Sequence, residues 1–190
     1  MTHRTVNDRR DVARDVYSPG VDSGGVDIGG VDTGGVDCVD VDGRAIDRDA
    51  IAALVPHSGG MVLLDRVVAW NDSFITCRTR SHLDQSNPLR RAGRLAATCG
   101  VEYALQAAAL HGGLAARGAT QPAGFLAALR DVALQADWLD DQAIGDLFVT
   151  ARLERHEQGG SIYALELRSA GGRLLLSGRA VIALPPARRP

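Results

Sequence analysis

The chain has no lysine, three cysteines and an aromatic content of only 4%. Every basic side chain is therefore an arginine, an imbalance that reflects coding bias more readily than any chemical demand. Cys38, Cys77 and Cys99 are odd in number and widely spaced, with no CxxC pair and no matching histidine spacing. Neither a disulfide framework nor a zinc site is suggested on that ground. Positive charge is also in short supply, since the formal net charge is -2. A general nucleic-acid binder needs clustered basic residues that displace counterions from phosphates, so that class is set aside. No basic amphipathic stretch fits a membrane surface, and no apolar run approaches the length of a membrane span. The opening MTHRTVNDRR lacks the apolar core of a signal peptide, and a cytoplasmic protein is expected.

What is present is a chain of 190 residues, 45% of them hydrophobic, enough to bury one core. The first 45 residues stand apart. From Gly20 they read GVDSG GVDIG GVDTG GVD, a five-residue period of glycine, valine and aspartate. Such a stretch cannot bury enough apolar surface to offset its ordering entropy, so residues 1–45 are expected to be a disordered tail. Its aspartates lack both the twelve-residue loop with a closing glutamate and the nine-residue glycine-rich repeat of calcium sites. No metal site is expected. Residues 1–45 hold 5 Arg against 9 Asp, leaving 16 Arg against 14 acidic residues for 46–190, so the remainder is faintly basic.

Ordered structure is expected over residues 46–185, with 186–190 a flexible C-terminus. IDRDAIAALV (46–55) has helical apolar spacing, Asp47 or Asp49 to cap it and Pro56 to stop it. MVLLDRVVAW (61–70) and SFITCRTRS (73–81) are strand-like and separated by Asn71-Asp72, a hairpin signal. Residues 82–94 carry Asn-Pro, Gly and three arginines without periodicity and read as a loop. LAATCGVEYALQAAALHGGLAAR (95–117) is apolar almost all round, so it predicts an enclosed helix. Four strands follow, at 124–136, 146–155, 161–169 and 172–184, the last two forming a hairpin. In the third, Tyr163, Leu165 and Leu167 alternate with Ala164, Glu166 and Arg168, the period of a sheet with one covered face. One helix enclosed by a six-strand sheet is an α+β arrangement.

Three stretches carry a resemblance. VPHSGGMVLLDRV (55–67) is similar to the LPHRxPxLLxDRV segment of 3-hydroxyacyl-[acyl-carrier-protein] dehydratases, and Glu102 and Gln106 in EYALQ match the spacing of their E-x-M-A-Q helix. GFLAALRDVAL (124–134) is similar to the strand that follows. The chain thus resembles the hot-dog fold, a curved antiparallel sheet wrapped around a central helix, and within it the dehydratase-like branch of aryl-polyene and related pigment clusters, marked by PHSGxMxLLDRV and GxEYxxQ. One departure stands out: the H-F-P-G histidine of the fatty-acid enzymes, fourteen residues before the helix acid, is replaced here by Pro88.

The resemblance implies dehydration of 3-hydroxyacyl thioesters on an acyl carrier protein. Such chemistry needs a base, an acid and a donor for the carbonyl oxygen, but no metal and no resident cofactor, since the substrate rides on the carrier's phosphopantetheine. A catalytically weak subunit that binds acyl chains or stabilises an active partner, and an acyl thioesterase, are the alternatives. The assembly is expected to be a homodimer or a heterodimer with another hot-dog subunit.

Glu102, a carboxyl inside an apolar helix, is the candidate acid; the structural alternative is a glutamate reaching solvent or pairing with an arginine. His57 is the substitute base or a structural hydrogen-bonding residue. Gly59 and Gly60 are expected to steer the backbone past the substrate. The Ala97 N–H is a candidate donor to the thioester carbonyl, and Gln106 a group that orients Glu102 or lines the pocket. His82 and His111 are weaker candidate bases, and His156 is expected to have no role. Cys99 sits in apolar surroundings without a neighbouring base and reads as a buried small residue. Asp65 and Arg66 are expected to form an internal ion pair. Arg90, Arg91 and Arg94 are expected either to receive an acidic carrier protein and its phosphate or to be a solvated loop.

Overall fold

The computed structural model describes residues 45–116, 124–157 and 159–185. The expected tail, apart from Ala45, and the C-terminus 186–190 lie outside the described residues.

A short helix α1 (Arg48–Leu54) opens the domain, capped by the Asp47 carboxylate, which accepts from the Ala50 N–H at 3.1 Å. Six strands follow: β1 (Arg66–Asn71), β2 (Phe74–Thr79), β3 (Phe125–Leu134), β4 (Leu147–Glu157), β5 (Gly160–Ser169) and β6 (Leu174–Ala183). They form one antiparallel sheet in the order β1-β2-β4-β5-β6-β3, which leaves β1 and β3 at its edges. The long helix α2 (Gly100–Ala115) lies across β2, β4, β5 and β6. This is the hot-dog arrangement.

The apolar composition of α2 has the consequence expected of it: Tyr103, Ala104, Ala107, Leu110 and Leu114 are buried against the sheet. Its first residue is glycine for a reason of space. A Cβ on Gly100 would stand 2.7 Å from the Leu167 side chain, so the helix enters at a distance from the sheet that no larger residue permits without repacking. The period-two pattern of β5 also holds, with Tyr163, Leu165 and Leu167 buried and Arg168 exposed.

Two boundaries differ from the sequence expectation. The strand expected from Met61 begins only at Arg66, because the backbone before it bonds to side chains: Leu63 N–H donates to Gln106 Oε1 at 3.0 Å, and Leu63 C=O accepts from Thr79 Oγ1 and Ser81 Oγ at 2.7 and 2.6 Å. The helix expected from Leu95 begins with a 3₁₀ turn at Ala97–Cys99, because Leu95 and Ala97 pair with the chain at 137–139. The expected Asp65–Arg66 pair is not formed. Neighbours in an extended chain point to opposite faces, and Asp65 instead takes Arg48 at 2.9 Å and the Arg80 N–H at 2.7 Å.

Candidate active site

Pro56 follows the end of α1 and delivers His57 to the side of α2. There His57 Nε2 stands 3.0 Å from Glu102 Oε1, each side chain a little over a quarter exposed. Glu102 is in the first turn of α2. One turn further on, Gln106 is fully buried and makes three hydrogen bonds. Its Nε2 donates to Glu102 Oε1 at 3.1 Å and to Met61 O at 2.8 Å, while its Oε1 accepts from Leu63 N–H. The amide orientation is therefore fixed by its partners. Helical spacing sets Glu102 and Gln106 on one face, and Gln106 straps segment 57–63 against that face.

The pair lies on the wall of a cavity of about 700 Å³. Leu54 from α1 and Val55 just after it, Leu105 and Ala108 from α2, Leu153 from β4 and Ile182 from β6 make much of the wall apolar. Along α2 the wall continues over Ala109, Gly112 and Gly113, side chains too small to block a chain running along the helix. A cavity of this size is typical of small-molecule sites.

Gly59 and Gly60 are brought near this site but form its outer turn, not the cavity wall. Gly59 has φ +58, which favours glycine, and a Cβ on Gly60 would rest in ordinary contact with the Pro88 ring. The Ala97 N–H is engaged, donating to Asp137 O at 2.9 Å, so it does not point at a substrate. Ala97 borders a separate hollow with Thr98, Leu134 and Asp137.

The three arginines separate. Arg90 is taken into the fold: its side chain is 7% exposed, pairs with the equally buried Asp140 at 3.1 Å and donates to the carbonyls of His82, Asp84 and Gly93. Arg94 also pairs with Asp140, at 3.0 Å, and stacks its guanidinium 4.2 Å from the Trp138 ring centroid while remaining half exposed. Burial pushes the Asp140 carboxyl up, but the Arg94 hydrogen bond and the charges of Arg94 and Arg90 outweigh it and hold the group below its ordinary range. The Arg91 side chain is exposed and, among the described residues, donates only to the local carbonyls of Pro88 and Arg90. Asp140 carried no signal in the sequence, because nothing local links it to residues some fifty positions earlier.

The other described histidines, His82, His111 and His156, have partners or surroundings other than Glu102. His111 Nε2 lies 2.9 Å from Asn71 O, a pure acceptor, so it carries the proton and leaves Nδ1 to accept from Tyr163 O–H, also at 2.9 Å. Burial pushes the His111 ring down and the Tyr163 phenol up to about 12. The pair lines another part of the same cavity, and the strand alternation had already turned Tyr163 inward. His156, expected to have no role, bonds Ser161 Oγ at 2.9 Å on the cavity wall. His82 is fully buried, and among the described residues neither ring nitrogen has a hydrogen-bond partner. Burial pushes it down to about 4, opposed by the Gly145 backbone, which stands outside hydrogen-bond geometry. Cys99 Sγ donates to Leu89 O at 3.7 Å, and burial pushes its thiol up, which suits a packing role.

Among solved structures the fold is similar to the dehydratase heterocomplex ApeI:P from Xenorhabdus doucetiae, with a TM-score of 0.63 and 21% identity over 76% of this chain and 94% of that one. A mutant thioesterase PA1618 from Pseudomonas aeruginosa is similar at TM-score 0.55 and 18% identity, over 73% of this chain and 93% of that one. The thioesterase HI1161 from Haemophilus influenzae is similar at TM-score 0.55 and 12% identity, over 77% and 95%. No curated protein matches. A family described as ApeP dehydratase matches residues 49–188, which include His57, Glu102 and Gln106 and all six strands of the sheet. The chain belongs to the ApeP-like dehydratase family.

Proposed function

We propose that this protein dehydrates 3-hydroxyacyl thioesters carried on an acyl carrier protein to the 2-enoyl thioesters. The observation that carries the reading is Glu102, a carboxyl held by His57 and Gln106 on the wall of a largely apolar cavity. Proton transfer beside a thioester carbonyl needs such a group within reach of a chain shielded from water. The small residues of α2 leave room for the acyl chain along the helix. The positive end of the α2 dipole, at the turn that carries Glu102, favours negative charge developing on the thioester oxygen. No resident cofactor enters the reaction. Exposed Arg91 and half-exposed Arg94 are the arginines available to an acidic carrier protein and its phosphopantetheine phosphate; Arg90 instead anchors their loop.

A second hot-dog subunit is the expected partner, identical or different. Edge strand β3 presents Phe125, Leu126, Leu129, Val132 and Leu134, each between 39% and 57% exposed. An apolar edge of that length is a hazard unless another strand covers it. The ApeI:P relative is a heterocomplex, which supports a hetero-partner as well as a second copy.

The absence of a histidine at Pro88 favours a second reading, an acyl-binding subunit that supports an active partner. Incubation of the purified protein with 3-hydroxyacyl and 2-enoyl thioesters distinguishes the cases. Interconversion with loss or gain of water supports dehydration. Activity only with an added hot-dog partner supports the subunit role, and release of free thiol supports a thioesterase.

A further inference from the structure

Resting on the dehydratase reading, we propose that Glu102 performs both proton transfers through its Oε2 oxygen and that His57 is a positioning residue, not the base. The two side chains that hold Glu102 end on the same atom, since Gln106 Nε2 and His57 Nε2 lie 3.1 and 3.0 Å from Oε1. Among the described residues, Oε2 has no hydrogen-bond partner, so it is the carboxyl oxygen left for a substrate in the cavity.

The tautomer of His57 follows from its other nitrogen. Nδ1 is buried and, among the described residues, has no partner. A proton there would be an orphaned buried donor, which folded proteins avoid more strictly than an unfilled acceptor. The proton therefore sits on Nε2, 3.0 Å from Oε1. In that state Nε2 has no free lone pair, and the lone pair of Nδ1 is shut away from the cavity. Neither nitrogen can take a proton from a substrate, whereas Oε2 can.

The step balances with one group. Oε2 of the carboxylate takes the proton from the carbon beside the thioester carbonyl, and the freed electron pair becomes the new carbon–carbon double bond. The bond from the next carbon to its hydroxyl oxygen breaks, that oxygen keeps the pair, and the proton returns from Oε2 to complete a water molecule. Glu102 ends as it began, nothing is oxidised, and both transfers occur on one face of the chain. The missing H-F-P-G histidine is then no defect, because its task falls to the same carboxyl.

The test has two independent readouts on the full chain. Nitrogen-15 NMR of histidine-labelled free protein at neutral pH is expected to show His57 with Nε2 protonated and Nδ1 bare, and needs no turnover. In the dehydration assay, His57→Gln places an amide N–H where Nε2 stood and is expected to keep kcat within about tenfold of the wild type. His57→Phe, which has no donor, is expected to lower kcat further with little change in KM. Protonated Nδ1, or a kcat loss in His57→Gln of about 10²–10⁴-fold as for a deleted general base, overturns the assignment while leaving the dehydratase reading intact. Turnover that survives Glu102→Gln, or a wild type that does not dehydrate, overturns that reading and the shared proton transfer with it.

Discussion

Gln106 reaches back one turn along α2 to hold Glu102 Oε1 at 3.1 Å, and it does so from a fully buried position. The same amide grips Met61 and Leu63. One residue thus couples the carboxyl to the segment that carries His57, and stability and activity should respond to it together.

Gln106→Leu removes all three bonds and leaves the Leu63 N–H buried without an acceptor. Leaving a buried donor unmet costs about 1–3 kcal/mol. The variant is expected to lower the unfolding free energy read from chemical denaturation by an amount in that range and to lower kcat more than it raises KM. Wild-type stability would mean that the strap is dispensable.

Arg90 and Arg91 are adjacent yet should behave differently. Arg90→Ala opens a buried pair with Asp140, a change that costs about 3 kcal/mol or somewhat less here because Arg94 still faces the carboxylate. Arg91→Ala is expected to leave stability unchanged and to raise the apparent KM for a carrier-bound substrate, increasingly so at low salt. Thermal melts and carrier-concentration series separate the two effects.

Acid should destabilise the fold through His82. Its folded value of about 4 lies below its ordinary 6.5, so the unfolded chain binds the proton first. Stability is fully present above pH 6.5 and is lost as pH falls towards 4, by about 2 kcal/mol between pH 7 and pH 5. His111 shifts in the same direction. Urea titrations at the two pH values should show that loss, and His82→Leu should remove much of it.

The apolar edge of β3 should control assembly. Leu129→Glu places a charge in the middle of that row and is expected to shift the protein, alone or mixed with its hot-dog partner, to monomers in light scattering. A wild type already monomeric with and without a partner would contradict the role given to this edge.

The architecture was legible because its signals are local. The apolar circumference of α2, the alternation of Tyr163, Leu165 and Leu167 and the turn at Asn71-Asp72 each need only a few neighbouring residues to be read. Glu102 was legible as a polar residue that an enclosed helix does not ordinarily tolerate, and the structure places it beside His57. What could not be read were contacts set by tertiary packing: Asp140 with Arg90, Asp65 with Arg48, and Asp137 O occupying the Ala97 N–H. In each case the residue type was visible but its partner lay tens of positions away or in the backbone of another element. The orientation of His57 belongs with these, because it depends on the burial of a single nitrogen.

In the proposed dehydration the Glu102 carboxyl moves the protons. The direct measurement compares wild-type and Glu102→Gln protein on a 3-hydroxyacyl thioester, following the absorbance of the enoyl product, with circular dichroism to confirm that both are folded. The variant is expected to fold as the wild type does and to form no product above background; a folded variant turning over at the wild-type rate would contradict the role given to Glu102.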